Sequence, residues 1–281
     1  MLALMTGNAY ADQQSSNVTQ NGANNAADVD QTGGEEGKSD INQNGDGNAA
    51  EVEQSEVPPG SNNFSVPANM ADIDQIGNNA HAAVRQRNDN AGGATNSATI
   101  SQLSNVETVG PDTFALKARI NQLDGDGNDS IINQSGDAAT PLPGSGMRAT
   151  NTQRGTSNTS AIDQQGDLDA DPNTVATVRQ TGDGNISDVD QSGSHAVTMV
   201  DQTGTGHMST VSQTTTNVDL GRVFTEVLQD GSGHMSTVNQ TSTGAPAGDV
   251  EAFIDQSGST NSSLVTQNAT GSNSGHLTAN V

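Results

Sequence analysis

Along most of the chain, positions that carry small apolar or amide side chains alternate with positions that carry other polar side chains. The pattern restarts about every eleven residues. Aligning the chain on glutamine gives 19 units, from Gln20 to Gln267. Half of the 18 intervals between these glutamines are 11 residues long, and four more are 16. Val or Ile stands two residues before each of them except at Asn151, and Ala, Ser or Thr stands four residues before. Six residues before the glutamine, Asn or His is frequent.

These positions lie two residues apart, which is the period of side chains on one face of a β-strand. The sequence therefore predicts short strands of about seven residues, Asn-x-Ala-x-Val-x-Gln, with the named positions inward and each x outward. β-Branched Val and Ile pack well on such a pleated surface. The predicted inward ladders, which would also form the core of any assembly, are Asn25, Ala27, Val29, Gln31, Asn48, Ala50, Val52, Gln54, Asn185, Ser187, Val189, Gln191, His207, Ser209, Val211, Gln213, His234, Ser236, Val238, Gln240, Asn261, Ser263, Val265 and Gln267.

A glycine-rich turn follows many of the predicted strands, as in the GDGN segments at 45–48 and 182–185. Gly and Asn accept the positive φ angles that a tight reversal needs. Strand, turn, strand, turn predicts an all-β fold: a β-solenoid with two short strands per rung of about 22 residues, about ten stacked rungs and amyloid-like cross-β ladders. The predicted turn glycines are Gly22, Gly45, Gly47, Gly77, Gly182, Gly184 and Gly258.

One phrase occurs twice, as GHMSTVSQ at 206–213 and GHMSTVNQ at 233–240. The copies are two units apart, so they should lie on successive rungs, with His207 against His234. Longer intervals predict loop inserts at 55–68, 87–95, 103–115, 135–148, 214–222 and 241–249. A degenerate strand at Asn105–Pro111, with Val109 in the Val position, would bring nearly all inserts to one edge of the coil.

Composition narrows the function classes. The net charge is −24, with only nine Lys and Arg, which argues against nucleic-acid binding because phosphate contacts need cations. No Cys is present, which excludes disulfides and thiolate zinc sites. Low hydrophobicity with high charge is typical of disorder, but a disordered chain has no reason to keep one register over so many units. Aromatics make up 2%, which argues against a polysaccharide-cleaving β-helix enzyme.

The start of the chain differs from the repeats. Met1 to Met5 is a short apolar stub, and Ala9-Tyr10-Ala11 has the form of a signal-peptidase site. We interpret residues 1–11 as the remnant of a secretory signal peptide and residues 12–281 as a single repeat domain. No apolar run approaches the ~20 residues of a membrane span.

Candidate chemistry is sparse, and the sequence predicts neither an enzyme nor a cofactor. His207, His234 and His276 occupy the position usually given to Asn, so they are interpreted as ladder residues; a metal held by stacked His207 and His234 is the alternative. Asp124 to Asp129 resembles a calcium loop but lacks the downstream bidentate Glu. No nucleophile–base pair is recoverable.

The units resemble the curlin repeat of curli subunits, a family with the pattern Ser-x5-Gln-x-Gly-x-x-Asn-x5-Gln. GDGNAAEVEQ at 45–54 and GDGNISDVDQSG at 182–193 match it closely, and the resemblance covers about residues 15–281. The chain departs from the family in its acidity, its length and its inserts. The resemblance implies a β-solenoid subunit that passes an outer-membrane secretion pore and polymerises outside the cell, with a nucleator subunit as a further partner.

The expected function is therefore that of a secreted structural subunit, which self-assembles head to tail into extracellular amyloid fibres of a biofilm matrix. Open strand edges at the two ends of the stack would template the next copy. The chain's last residues, His276–Val281, stop where a glutamine is due. The alternative is a monomeric or surface-tethered solenoid, an adhesin or a calcium- or ice-binding module.

Overall fold

The fold is seen in a computed structural model that describes residues 14–32, 37–56, 69–88, 94–106, 115–138, 146–167, 173–193, 195–215, 223–243, 250–270 and 277–280. Within these residues the chain forms 20 strands, which alternate between two parallel sheets of ten. Sheet A contains β1 (Ser15–Asn21), β3 (Lys38–Asn44), β5 (Met70–Gly77), β7 (Ser97–Val106), β9 (Asp129–Ala138), β11 (Thr159–Asp167), β13 (Ile186–Ser192), β15 (Met208–Thr215), β17 (Met235–Thr243) and β19 (Ser262–Thr270). Sheet B contains β2 (Ala26–Thr32), β4 (Ala49–Glu56), β6 (Ala80–Asn88), β8 (Leu116–Leu123), β10 (Gly146–Arg154), β12 (Asn173–Asp183), β14 (Ala196–Thr205), β16 (Val223–Ser232), β18 (Val250–Ser259) and β20 (Leu277–Asn280).

Each pair of consecutive strands forms one rung, so the predicted β-solenoid of about ten rungs is confirmed. All neighbouring strands pair in parallel, and wherever both strands contain the glutamine of the repeat, the two glutamines lie opposite one another, as in Gln20 with Gln43 and Gln31 with Gln54. The two GHMSTV phrases lie on successive rungs, with Met208 opposite Met235. The period of two and the restart on glutamine were thus sufficient to predict the stack.

The core between the sheets is thin and is built from the positions two and four residues before each glutamine. The Val and Ile side chains two residues before the glutamines, from Ile41 to Val265, are at most 5% exposed. Asn151, the one exception in the row, is also buried, and its side-chain amide donates to the Ser130 hydroxyl of sheet A. The NH2 group of the amide therefore has a polar partner across the core, whereas Asn151 Oδ1 is buried without a hydrogen-bond partner among the described residues.

The predicted strand boundaries need one correction. Asn25, Asn48, Asn185, His207, His234 and Asn261 stand immediately before their strands, at the end of the preceding turn. In units that lack Asn or His, such as those of β6 and β8, the equivalent residue is a buried apolar side chain, Ala80 or Leu116, inside the strand. The position therefore caps the turn when it is polar and extends the core when it is apolar.

The degenerate strand predicted at Asn105–Pro111 is wrong. Asn105 belongs to β7, while Val109 and Pro111 lie outside the described residues. β7 pairs directly with β9, and β6 pairs directly with β8, so neither sheet has room for an additional strand between them. The long connections instead change sides: before β7 they run from sheet B to sheet A, and after β7 from sheet A to sheet B.

The inserts are also shorter than predicted, because strands extend into them. β4 runs through Glu56, β7 through Val106, β9 through Ala138, β15 through Thr215 and β17 through Thr243. Residues 1–11 and most residues of the inserts lie outside the described part of the chain. The long connections therefore begin at the ends of regular strands that continue past the glutamine.

Candidate functional site: the stacked ladders and the end strands

Two ladders of glutamine side chains run the length of the described stack, one in each sheet. In sheet A each Nε2 donates to the Oε1 of the next rung, from Gln20 to Gln267, at 2.6 to 2.9 Å. In sheet B the same bonds run from Gln31 to Gln256, at 2.6 to 3.0 Å. Every donor points towards the later rung, so both ladders have a direction.

A second set of bonds fixes this direction. The Nε2 of Gln202 also donates to the Ile186 carbonyl of the opposite sheet at 3.0 Å, and Gln240 donates in the same way to Phe224 at 3.1 Å. Because a carbonyl can only accept, these bonds determine which amide atom is the nitrogen. Each inner glutamine therefore joins the two sheets as well as successive rungs.

The Asn and His positions form a ladder that caps the turns. Asn158 Nδ2 donates to the Gly182 carbonyl of the next rung at 2.8 Å, and Asn158 Oδ1 accepts the Asn185 N–H at 3.1 Å. Asn25 and Asn48 stand in turns where the chain passes from sheet A to sheet B. The later members of the ladder, from Asn69 to Asn261, stand on the opposite edge, where the chain passes from sheet B to sheet A. The ladder therefore changes edge, as the long connections do.

His207 and His234 continue this ladder with imidazole rings. His207 Nδ1 accepts the His234 N–H at 3.3 Å, and His234 Nδ1 accepts the Asn261 N–H at 3.1 Å. Since Nδ1 accepts, Nε2 carries the proton and donates to the carbonyl of Thr203 or Asp230, at 3.0 Å in both cases. Both ring nitrogens of both residues are thus engaged, and a metal would have to displace one of these bonds.

Glycines stack on the tight turns for a steric reason. A Cβ on Gly22 would collide with the Gly45 carbonyl, and one on Gly45 with the Gly77 carbonyl. On the other edge the same relationship runs from Gly125 through Gly182 to Gly258. Gly47 and Gly184, which also have positive φ, lie in the turns beside these columns. Successive tight turns therefore lie too close for a Cβ at the glycines of these columns.

The serines four residues before the glutamines of sheet A form a row of buried hydroxyls. Ser187, Ser209, Ser236 and Ser263 are at most 7% exposed, and their Oγ atoms have no hydrogen-bond partner within the described structure. Ala71 and Ala98 occupy the same row in β5 and β7. The hydroxyls at this position are thus not required by the fold.

Two aspartate clusters stand on the outward face of sheet A. Asp40 lies opposite Asp72 on the next strand, with Asp74 beside it. Burial raises the pKa of Asp72, and the charges of Asp40 and Asp74 raise it further. Burial, followed by the charges of Asp163 and Asp190, likewise raises the pKa of Asp188. Like charges are therefore held close together on both β3–β5 and β11–β13.

The calcium-loop candidate lies in the tight turn between β8 and β9. Asp124 forms an ion pair with Arg87 of sheet B, with 3.9 Å between Oδ1 and Nε. In the described part of the chain, no group of three or more His, Cys, Asp or Glu side chains is arranged to hold a metal ion. Nor do these residues include a helix long and apolar enough to cross a membrane.

The outer strands of the described stack are more exposed than the inner ones. Among the described strands, β1 pairs only with β3 and β2 only with β4. Val18, Ala27 and Val29, whose equivalents in the inner rungs are buried, are only partly buried there. At the other end of sheet A, β19 pairs with β17 alone among the described strands. These strands present regular backbone edges.

Comparisons with known proteins add no relative: no protein-family model matches the chain, and neither does any curated protein.

Proposed function

We propose that the chain is a structural subunit that stacks head to tail on further copies of itself and so builds an extracellular fibre. In this proposal β19 of one copy pairs with β1 of the next, and the ladders continue across the junction. The chain acts as a building element and not as an enzyme. The curlin resemblance supports a biofilm matrix as the setting, with a secretion pore and a nucleator as partners.

The observation that carries the proposal is the likeness of the two outer strands of sheet A. β1 begins SSNVTQN, from Ser15 to Asn21, and β19 begins SSLVTQN, from Ser262 to Asn268. Six of these seven positions are identical, and only Asn17 and Leu264 differ. Placed in register, Val265 would meet Val18 and Gln267 would meet Gln20, as equivalent residues do between inner rungs.

The direction of the glutamine ladders supports head-to-tail stacking. The first rung presents the acceptor atoms Gln20 Oε1 and Gln31 Oε1 towards the preceding position, because each Nε2 points to the following rung. A head-to-head contact would bring acceptor against acceptor. A head-to-tail contact continues the donor-to-acceptor order, and it also buries Val18 and Val29.

A proline in β1 tests the proposal. Successive N–H groups of a strand point to opposite sides, and the Ser15 N–H bonds to Gly37 on the β3 side. The N–H of Val18, three residues later, therefore points to the open edge. Val18→Pro keeps the bonds to β3 and blocks the edge, because proline has no donor and its ring obstructs pairing.

We expect Val18→Pro to abolish fibre elongation. Thioflavin fluorescence and negative-stain microscopy measure this elongation. The control Val18→Thr keeps the N–H group and a β-branched side chain, and it should polymerise like the natural protein. Both variants should retain the β-sheet circular dichroism of the soluble chain. Fibres formed equally well by Val18→Pro would refute growth through β1.

A further inference from the structure

The cations of this acidic chain are concentrated on one face. Seven of the nine Lys and Arg residues stand on the outward face of four consecutive strands of sheet B, β6 to β12. We call this group the basic band: Arg85, Arg87, Lys117, Arg119, Arg148, Arg154 and Arg179. None of these four strands carries an outward Asp or Glu before the turn residue Asp183.

The band leaves positive charge unneutralised. Lys117 lies directly opposite Arg148 on the neighbouring strand, a like-charge pairing that disfavours the sheet. Arg119, Arg148 and Arg154 are exposed, and none of them forms an ion pair within the described residues. At the borders of the band, Arg85 pairs with Glu53, Arg87 with Asp124 and Arg179 with Asp201.

The same face continues into a band of opposite character on β14, β16 and β18. Its outward residues include Asp201, Asp230 and Glu251, together with the partly buried rings of Phe224 and Phe253. We call these three strands the acidic–apolar band. One face of sheet B therefore carries a basic region and, next to it, an acidic region that also offers aromatic surface.

We infer that this face of sheet B binds the same face of a second copy of the chain, around a two-fold axis that runs along the strands between β12 and β14. A surface that carries both complementary halves is what a two-fold interface requires. The rotation reverses the order of the rungs, so β10 of one copy faces β16 of the other, and β8 faces β18. The basic band of each copy then covers the acidic–apolar band of its partner.

This register matches individual side chains. Arg154 and Asp230 each stand one residue after the glutamine of their strand, so they face one another across the axis. Lys117 and Glu251 each stand five residues before the glutamine of their strand, so they also face one another. Arg119 and Phe253 each stand three residues before that glutamine and form a third facing pair. The two copies thus form two sets of ion pairs and of Arg–aromatic contacts, which are favourable when partly desolvated.

The area of this face and the screening of charges by salt are consistent with a specific dimer. Six strands spaced ~4.8 Å apart and about eight residues at ~3.3 Å give a face of roughly 750 Å². A standard protein interface buries about 800 Å² per partner. At about 0.15 M salt the Debye length is ~8 Å, so contacts across the interface outweigh the repulsion between distant acidic residues. A two-fold axis along the solenoid would instead place basic band on basic band.

This pairing concerns the sides of the solenoid and does not rest on growth at its ends. It can therefore be measured in the Val18→Pro chain, which is designed to leave the sides unchanged. Sedimentation velocity at about 0.15 M salt should show a dimer in the micromolar range. Arg154→Glu should raise the dimer Kd at least tenfold, because it places like charges opposite Asp230.

A charge swap makes the test specific. The double variant Arg154→Glu with Asp230→Arg restores both ion pairs and should restore the dimer. Lys38→Glu changes the net charge by the same amount on the opposite sheet, and it should leave the dimer intact. A monomer at every concentration, or no rescue by the swap, overturns the inference. Tight binding of heparin that is lost in Arg154→Glu, without a dimer, would assign the band to an anionic polymer instead and would equally overturn it.

Discussion

His207 lies against His234 with the ring centroids 5.0 Å apart and the ring planes 6° from parallel. Each Nδ1 accepts a backbone N–H from the following rung, as an Asn Oδ1 does elsewhere in the ladder. An imidazole can replace the amide only while it is neutral, because protonation of Nδ1 removes the acceptor. The pair thus introduces a titratable group into a ladder that is otherwise built from uncharged amides.

This arrangement predicts that mild acid weakens the stack. Burial lowers the pKa of His207, as does the charge of His234, against the opposing hydrogen bond to Thr203. The contribution of His207 is complete above the unfolded pKa of ~6.5 and decreases as the pH falls below it, because the unfolded chain binds the proton first. His207→Asn should lose less stability than the natural chain between about pH 7.5 and pH 5.5. Urea unfolding at the two pH values checks this, and equal losses would contradict it.

The aspartate clusters predict the opposite pH dependence of stability, and they do so at lower pH than the histidine pair. Because the pKa of Asp72 is raised in the folded chain, its ionisation destabilises the fold above that pKa, and the penalty disappears below the unfolded value of ~3.9. Asp72→Asn should therefore be more stable than the natural chain near neutral pH, and equally stable below about pH 4. Asp188→Asn, on the other cluster, should behave alike. Thermal melts across this range would refute the account if Asp72→Asn were less stable at neutral pH.

The buried serine row predicts a stabilising substitution. The Ser209 hydroxyl has no hydrogen-bond partner within the described structure, and an unpaired buried polar group costs ~1–3 kcal/mol. Ser209→Ala should raise the free energy of unfolding by about 1 kcal/mol. Thr198→Val is the matched control: the Thr198 hydroxyl donates to Gln213 Oε1 at 2.8 Å, so its removal should cost about 1 kcal/mol. Destabilisation by Ser209→Ala would show that the hydroxyl has a partner.

Alanine substitutions at two neighbouring glycines distinguish the cost of steric collision from the cost of backbone strain. A Cβ at Gly204 would collide with the Gly231 carbonyl of the next rung, whereas one at Gly206 meets nothing within 4 Å. Gly206→Ala should cost only ~1–2 kcal/mol for its positive φ. Gly204→Ala forces two turns apart and should cost more than 4 kcal/mol, a size reserved for severe core disruption. Chemical unfolding of both variants measures the difference, and equal costs would refute close stacking of the turns.

The stack was predictable from sequence because its determinants are local and repeated. Val211 and Gln213 are two residues apart in their own strand, and the same residues recur in the next copy, so period and register follow from the pattern. The change of edge was not predicted, although a signal was present. Asn25 and Asn48 precede strands of one sheet, whereas Asn69 and later members precede strands of the other. Sorting the Asn positions by alternate units would have revealed it.

The charge bands were missed for a related reason. The repeat pattern predicts which positions of a strand face outward, but a single unit does not indicate which of the two sheets its strand joins. Arg119 and Arg154 are 35 residues apart in the chain and lie on neighbouring strands of sheet B only because each rung returns to the same sheet. A surface of this kind depends on which units are stacked, and a single unit contains none of that information.

The most direct test of the central claim is a cross-link between β19 of one copy and β1 of the next. The chain has no cysteine, so thiols can be placed at will. Thr19→Cys and Thr266→Cys introduce outward thiols one residue before the glutamines of β1 and β19, nine rungs or ~43 Å apart within one chain. Fibres grown from an equal mixture of the two variants should give covalent dimers with a short thiol cross-linker. Replacing Thr266→Cys by Leu264→Cys, two residues out of register, should greatly reduce the yield. Fibres that link Thr19→Cys only to itself, or link both mixtures equally, would contradict head-to-tail stacking through these strands.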